Sequence, residues 1–291
     1  HEGVVLTRSV QKARQKLGNG VSFFKWDGNA EPPEECWKGV EAVIHLAGES
    51  IAEKRWTAEQ KKRIRDSRVE GTRHLVAAVK KLSVPPRVFL SASAIGFYGD
   101  TGQNVVDETA PAGTGFLAEV CKEWEEALRP LEGICRSVSL RTGMVLGKDG
   151  GALAPLQKVF RWGAGGALGS GDQGVSWIHL HDLVSLYTWL LTAPVAGVVN
   201  GVAPQFVSNA AFVKELAETL HAPHFLRAPS FALKMVMGEM ASVVLEGQRV
   251  RPAVALAKGF AFRFTSLRSA LVDLLGKASG ENTSAKAGAG K

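Results

Sequence analysis

The sequence is short of tyrosine, with two in 291 residues, and short of cysteine, with three. Cys36, Cys121 and Cys135 are odd in number and stand in no CxxC spacing. They argue against a zinc site and for a reducing compartment. No apolar run approaches the roughly 18 residues of a membrane-spanning helix without meeting a charge or a glycine, so no membrane span is expected. Long blocks of one charge are also missing, and the net charge of +7 is spread thinly. The cluster Lys61-Lys62-Arg63-Ile64-Arg65 lies beside Glu59 and Asp66, which reads as a solvated helix face and not as a nucleic-acid patch. No internal repeat is present. What remains is a chain that is 45% hydrophobic, long enough to bury one large core or one core with a small lobe.

Residues Gly3 to Ser9, GVVLTRS, form a short β-rich apolar run. A helix-like stretch follows, and then a second strand pattern, Ala42 to Gly48. Strands alternating with helices point to an α/β fold with a doubly wound parallel sheet of the Rossmann type. In a dinucleotide fold the residue closing the second strand meets the ribose beside adenine, and an Arg there suits a 2′-phosphate because guanidinium forks onto phosphate oxygens. Thr7 and Arg8 are therefore cofactor-binding candidates. If GVVLTRS is the second strand, the first strand and its glycine loop are absent. The first residue is His and not Met, so a truncation of about one βα unit is expected.

Downstream, Trp56 to Leu82 is a long helical pattern stopped by Pro85-Pro86. Arg87 to Leu90 reads as a buried strand that delivers Ser91 and Ser93, and Phe116 to Leu128 as a helix. Ser137 to Met144 and Gly197 to Gly201 read as further strands, and Asn209 to Leu220 and Ala228 to Met240 as helices. Residues 1–150, joined by 175–200, make a dinucleotide-binding domain. Segments within 151–240 make a substrate lobe, 241–275 a compact C-terminal unit, and 276–291 a polar tail expected to be disordered.

Open parallel sheets bind ligands at their strand ends. Leu46, Ala47 and Gly48 close one strand with small residues after the leucine, so a cofactor can approach the backbone. Ser91 and Ser93 close the next, where a hydroxyl can bond a substrate hydroxyl or carbonyl. Phe97 and Tyr98 set an aromatic pair over the same crevice, and Arg141 joins them from the following strand. His179 and His181 alternate in WIHLHDL, but an N-cap role explains Asp182 better than a metal does.

The series VVLTRS, VIHLAGES, VFLSASAIGFYGD, LRTGMVLG, WIHLHDLV and GVVNGVAP resembles the extended short-chain dehydrogenase/reductase superfamily from its second strand onward. FLAEVCKEWE, GMVLGKDGGAL and VLEGQRVRP are similar to its atypical "epimerase family" branch, which includes bacterial nucleotide-sugar-epimerase-like proteins and plant members linked to chloroplast division. The resemblance covers about residues 1–275. It implies NADP as cofactor, with Arg8 at the 2′-phosphate, and Thr7, Leu46, Ala47, Gly48, Ser91 and Arg141 along the dinucleotide. It also implies Ser91 or Ser93 at the catalytic serine position and a C-terminal domain after about residue 240.

Two departures matter. The loop that cradles the pyrophosphate after strand one is missing, and a strand absent from a sheet centre bares both neighbours' edges. The YxxxK acid/base pair of catalytic members is also absent, since Gly102 and Leu191 stand four residues beyond the two tyrosines. Phe116 falls where that tyrosine belongs and has no proton to give. Ser93 and Tyr98 are the candidate substitutes, with Glu119 and Cys121 as further proton donors. The expectation is an NADP(H)-binding oxidoreductase or epimerase with weak or non-standard catalysis on a small, sugar-like molecule. The alternative is a cofactor-sensing regulatory module that meets a protein partner or a second copy, in plastid or bacterial division. Chloroplast or cytoplasm is the implied compartment.

Overall fold

Hydrophobic periodicity and end signals place the elements largely where the sequence reading expects them. The computed structural model describes residues 2–148, 150–224 and 226–276, so the tail from Lys277 lies outside the described residues. The chain opens with strand β1 (Gly3–Thr7), helix α1 (Val10–Leu17) and strand β2 (Val21–Lys25). The reading passed over β2, because the alternation of VSFFK is only five residues long and lies among polar neighbours. β1 and β2 pair in parallel, Gly3 opposite Val21 and Thr7 opposite Lys25.

Strand β3 (Ala42–His45) leads to helix α2 (Ala58–Lys81). Thr57 caps α2 by accepting from the Gln60 N–H, and Lys80 and Lys81 complement the dipole in its last turn. Strand β4 (Val88–Ala94), helix α3 (Phe116–Glu126) and strand β5 (Arg136–Thr142) follow. After them come strand β6 (Met144–Gly147), helix α4 (Leu153–Arg161), strand β7 (Gly166–Leu168), strand β8 (Trp177–His179), helix α5 (Leu180–Thr192) and strand β9 (Gly197–Gly201). The central parallel sheet has the order β9-β5-β4-β3. Helices cover both its faces, so β4 reads as an unbroken apolar run at its start. Val88, Leu90, Val138 and Leu140 pack on Leu186 and Leu190 of α5. Phe89 packs on the other side with Leu75 and Val79 of α2.

Among the described residues, β1 pairs only with β2 and β3 only with β4. The parallel sheet is therefore interrupted between β1 and β3, and Val4 and Ile44 on these two strands are exposed. Side chains span the interruption. The Arg8 guanidinium lies 3.8 Å from the Glu49 carboxylate, and the rings of Trp26 and His45 meet edge-on with centroids 6.3 Å apart.

Helix α6 (Asn209–Leu220), strand β10 (Leu226–Ala228), helix α7 (Ser230–Met237) and, after shorter turns, helix α8 (Leu267–Leu275) complete the chain. The expected helix to Met240 ends earlier, because Gly238 adopts a positive φ of 62° and a 3₁₀ turn takes over. A second core joins Trp177, Phe212 and Leu216 with Leu267 and Leu271 of α8. Asp182 does not cap α5 as expected. His179 does, its side chain accepting from the His181 N–H at 3.0 Å. The buried Asp182 carboxylate accepts instead from the Arg263 and Phe264 N–H groups at 3.0 and 2.9 Å, fastening the C-terminal segment to α5. The run Gly163 to Gly169 spells a GxxGxxG spacing but passes through β7 instead of joining a strand to a helix. A Cβ at Gly166 would sit 1.5 Å from the Leu226 carbonyl oxygen, so strand contact and not phosphate binding explains that glycine.

Candidate functional site

The carboxyl ends of β1, β3 and β4 open on one side of the sheet. Thr7 closes β1 by accepting from the Ser9 N–H at 3.2 Å, and Ser9 caps α1. Between them Arg8 projects with 78% of its side chain exposed, its carboxylate neighbour Glu49 no closer than 3.8 Å. Beyond β3 the chain runs through Leu46, Ala47 and Gly48, all exposed. Arg68 of α2 underlies this turn, donating to the Glu49 and Ile64 carbonyls at 2.9 and 3.1 Å, with its guanidinium over Trp124. A Cβ at Gly48 would come within 3.1 Å of the Arg68 Cζ, so glycine lets that cation support the turn.

His45, the last residue of β3, is buried among Trp26, Phe89 and Trp124. Thr72 donates its hydroxyl hydrogen to the Arg68 carbonyl at 2.6 Å, so at 3.0 Å it accepts from His45 Nε2–H. Burial, with the Arg68 charge adding to it, holds the ring down to a pKa of about 4. The imidazole is neutral at physiological pH.

The structure brings Ser93, Tyr98 and Arg141 together, around a residue the sequence reading missed. Glu125 of α3 accepts from Ser93 Oγ at 2.6 Å and from Arg141 Nε and Nη2 at 2.8 and 2.7 Å. The two nitrogens make a forked ion pair. Arg141 Nη1 donates to Tyr98 Oη at 3.0 Å, and Tyr98 donates to Asn200 Oδ1 at 2.8 Å. Asn200 Nδ2 donates in turn to the Arg251 carbonyl at 2.9 Å. The Arg141 guanidinium also lies 3.3 Å from the Phe97 ring centroid. A signal for Glu125 existed, because it falls four residues after Cys121 on the buried face that carries Ala118 and Val120.

Arg141, expected along the cofactor, is turned inward. Its side chain is 4% exposed and engaged with Glu125 and Tyr98, both internal. The Tyr98 hydroxyl is likewise buried and tied at both ends, and burial pushes its pKa above the ordinary phenol value against the pull of Arg141. Ser91 is buried two residues before Ser93, its hydroxyl donating to the Ala92 carbonyl at 3.1 Å. Phe116 opens α3 with its ring edge-on to Trp56, centroids 5.2 Å apart, and with Lys61 Nζ 5.3 Å from its centroid. Lys122 is exposed. Cys121 is buried, and desolvation raises its thiol pKa to about 11. Among the described residues no three His, Cys, Asp or Glu converge on a metal-sized point.

Residues 1–203 match the model of the NAD dependent epimerase/dehydratase family, and residues 228–274 match a domain of unknown function, DUF1731. The chain is 43% identical over 272 residues to the chloroplastic epimerase family protein SDR39U1 homolog of Arabidopsis thaliana, covering 92% of this chain and 78% of that protein. It is 40% identical over 235 residues to the epimerase family protein MT2273 of Mycobacterium tuberculosis, covering 80% and 77%. The crystal structure of human epimerase family protein SDR39U1 (isoform 2) with NADPH superposes with a TM-score of 0.81 at 30% identity, covering 94% of this chain and 99% of that one.

Proposed function

The chain belongs to the NAD dependent epimerase/dehydratase family, and from that premise we propose that it binds NADP(H) at the ends of β1 and β3 as an oxidoreductase- or epimerase-like protein of the extended short-chain type. The observation that carries this reading is Arg8, a largely free guanidinium at the end of a parallel strand beside the exposed small residues Ala47 and Gly48. A 2′-phosphate suits such a fork, and in this reading Leu46 and Thr7 flank the adenosine. The human relative crystallised with NADPH supports the same choice of cofactor. When bound, NADP(H) supplies hydride chemistry. The chain's own part is to hold the nucleotide and to present the β4 end to a small hydroxylated ligand, with Ser93 as the hydroxyl nearest that chemistry.

Arg8→Ala tests this. Losing a charge-assisted fork costs about 1.5–3 kcal/mol, so NADPH should bind roughly ten- to hundredfold more weakly while NADH is little changed. Equal losses for the two nucleotides, followed by tryptophan fluorescence, would remove Arg8 from phosphate recognition.

A second reading, a cofactor-sensing module with little turnover, is favoured by one specific arrangement. Phe116 offers no proton, and the Ser93 and Tyr98 hydroxyls are both bonded internally. Tyr98→Phe separates the two readings. Turnover lost with NADPH affinity intact assigns Tyr98 to the chemistry, and turnover unchanged leaves it a structural link to Asn200.

A further inference from the structure

The stretch from Phe231 to Val243 is held firmly at its two ends and rests lightly between them. At the first end β10 pairs in parallel with β7, Leu226 opposite Gly166. Ser230 packs on Gly169, where a Cβ would meet the Ser230 Oγ at 2.9 Å. At the second end Gly247 is pinned to the loop that follows Tyr98. Its N–H donates to Asp100 Oδ1 at 3.2 Å, and its carbonyl accepts from the Thr101 N–H at 2.9 Å. A Cβ at Gly247 would sit 2.3 Å from the Gly174 nitrogen, so the anchor requires glycine. Between these ends, from Phe231 to Val243, the described residues bury Ala241 alone. Few buried contacts between two fixed ends make a segment that opens locally at low free energy.

Two polar contacts fasten the segment to the opposite side of the crevice. Arg55 donates to the Val236 carbonyl, and Lys61 pairs with Glu239. Both cations stand where β3 runs into α2, on the side of the sheet where the strands end. Lys61 is also the ammonium beside the Phe116 ring, at the head of α3. The segment thus joins the loop after β4, through Asp100, to the heads of α2 and α3, through Lys61. The connection that carries Arg55 begins at the Gly48 turn and is internally braced. Glu49 N–H donates to Ser67 Oγ at 2.9 Å, Arg68 holds the Glu49 carbonyl, and Trp56 Nε1–H donates to the Ile51 carbonyl at 2.9 Å. A ligand that orders Gly48 therefore also fixes the position of Arg55.

We propose that residues 231–243 form a flap over the mouth of this crevice, latched by Arg55 and Lys61 and drawn shut when a nucleotide orders the Gly48 turn. The nucleotide's part rests on the NADP(H) reading above, and the latch does not. Surface ion pairs are individually weak, so the flap opens while the sheet stays intact, letting a small ligand in and out. The coupling is reciprocal: the factor by which NADPH tightens the flap is the factor by which a closed flap tightens NADPH.

The test is amide hydrogen exchange of the full chain, read by mass spectrometry over flap peptides with and without saturating NADPH. NADPH should slow flap exchange about fivefold or more. Lys61→Glu should speed flap exchange in the nucleotide-free protein by a similar factor and abolish the slowing by NADPH. Adding Glu239→Lys to that variant should restore both. Arg55→Ala should weaken NADPH and NADH alike, unlike Arg8→Ala, which discriminates between them. Flap exchange that ignores Lys61→Glu, or that the charge swap fails to restore, would overturn the latch. Flap exchange unaltered by NADPH, in protein whose tryptophan fluorescence reports binding, would overturn the nucleotide's part and leave the cofactor reading standing. No NADPH binding by the parent chain would sink the cofactor reading and the nucleotide's part together, and the nucleotide-free exchange would still decide the latch.

Discussion

Glu125 should be the most consequential single carboxylate in the protein. Glu125→Ala deletes three short hydrogen bonds, one from Ser93 and two from Arg141. It leaves a guanidinium that is 4% exposed with no counter-charge. Breaking a buried pair by removing one partner costs about 3–5 kcal/mol. Arg141 keeps Tyr98 Oη and the Phe97 ring face, so the low end, about 3 kcal/mol, is expected. For a chain of this size that lowers the melting temperature by about 5 °C. Urea unfolding followed by tryptophan fluorescence measures it, and a cycle with Arg141→Leu isolates the pair. The double variant Glu125→Leu/Arg141→Leu should be less destabilised than either single leucine variant, because no charge is then stranded. A loss below about 1 kcal/mol for Glu125→Ala, or simple additivity in the cycle, would refute the pairing as the organising contact.

His45 makes stability depend on pH. Its ring titrates at 6.5 when free and about 4 when folded, so between these values the unfolded chain binds more protons and stability falls as pH drops. The full loss is about 3 kcal/mol, complete below pH 4, and His45→Gln should flatten that part of the urea-midpoint profile; an unchanged slope would exclude the histidine. Asp182→Ala strands the Arg263 and Phe264 N–H groups, which should cost about 2–3 kcal/mol and speed amide exchange at those two positions. Exchange as slow as in the parent would show that the clamp is dispensable. Cys36 and Cys121, both with thiols raised to about 11, should resist a thiol reagent at mildly alkaline pH until the protein unfolds, while half-exposed Cys135 reacts first. Rapid labelling of Cys121 in the folded protein would contradict its burial.

What could be read from the sequence follows the strength of local signals. α2 and α3 announce themselves by period and by end residues, and β4 and β5 by apolar runs that two covered faces require. β2 escaped because five alternating residues carry little periodic information. The place of Arg8 and Gly48 just past strand ends is legible, since a strand end is a position that can be counted. Glu125 is not legible in the same way: its role depends on Arg141 arriving from a different strand, a contact no spacing encodes. The same long-range pairing moved Arg141 from the crevice to the interior and tied Tyr98 to Asn200. Asp182 was read as a local cap, and it bonds backbone about eighty residues away.

Helix α1 buries none of its residues, while the central sheet is covered on both faces. Few buried contacts mean a lower local opening free energy, so β1, α1 and β2 open before the central sheet. Arg8 directly follows β1, and Gly48 follows β3. A nucleotide touching both would act as mortar, so its binding free energy would appear as protection of β1 and β2 against exchange, rising with ligand concentration as RT ln(1 + [L]/Kd). Occupancy would thus be written into the rigidity of the amino-terminal strands before any chemistry takes place.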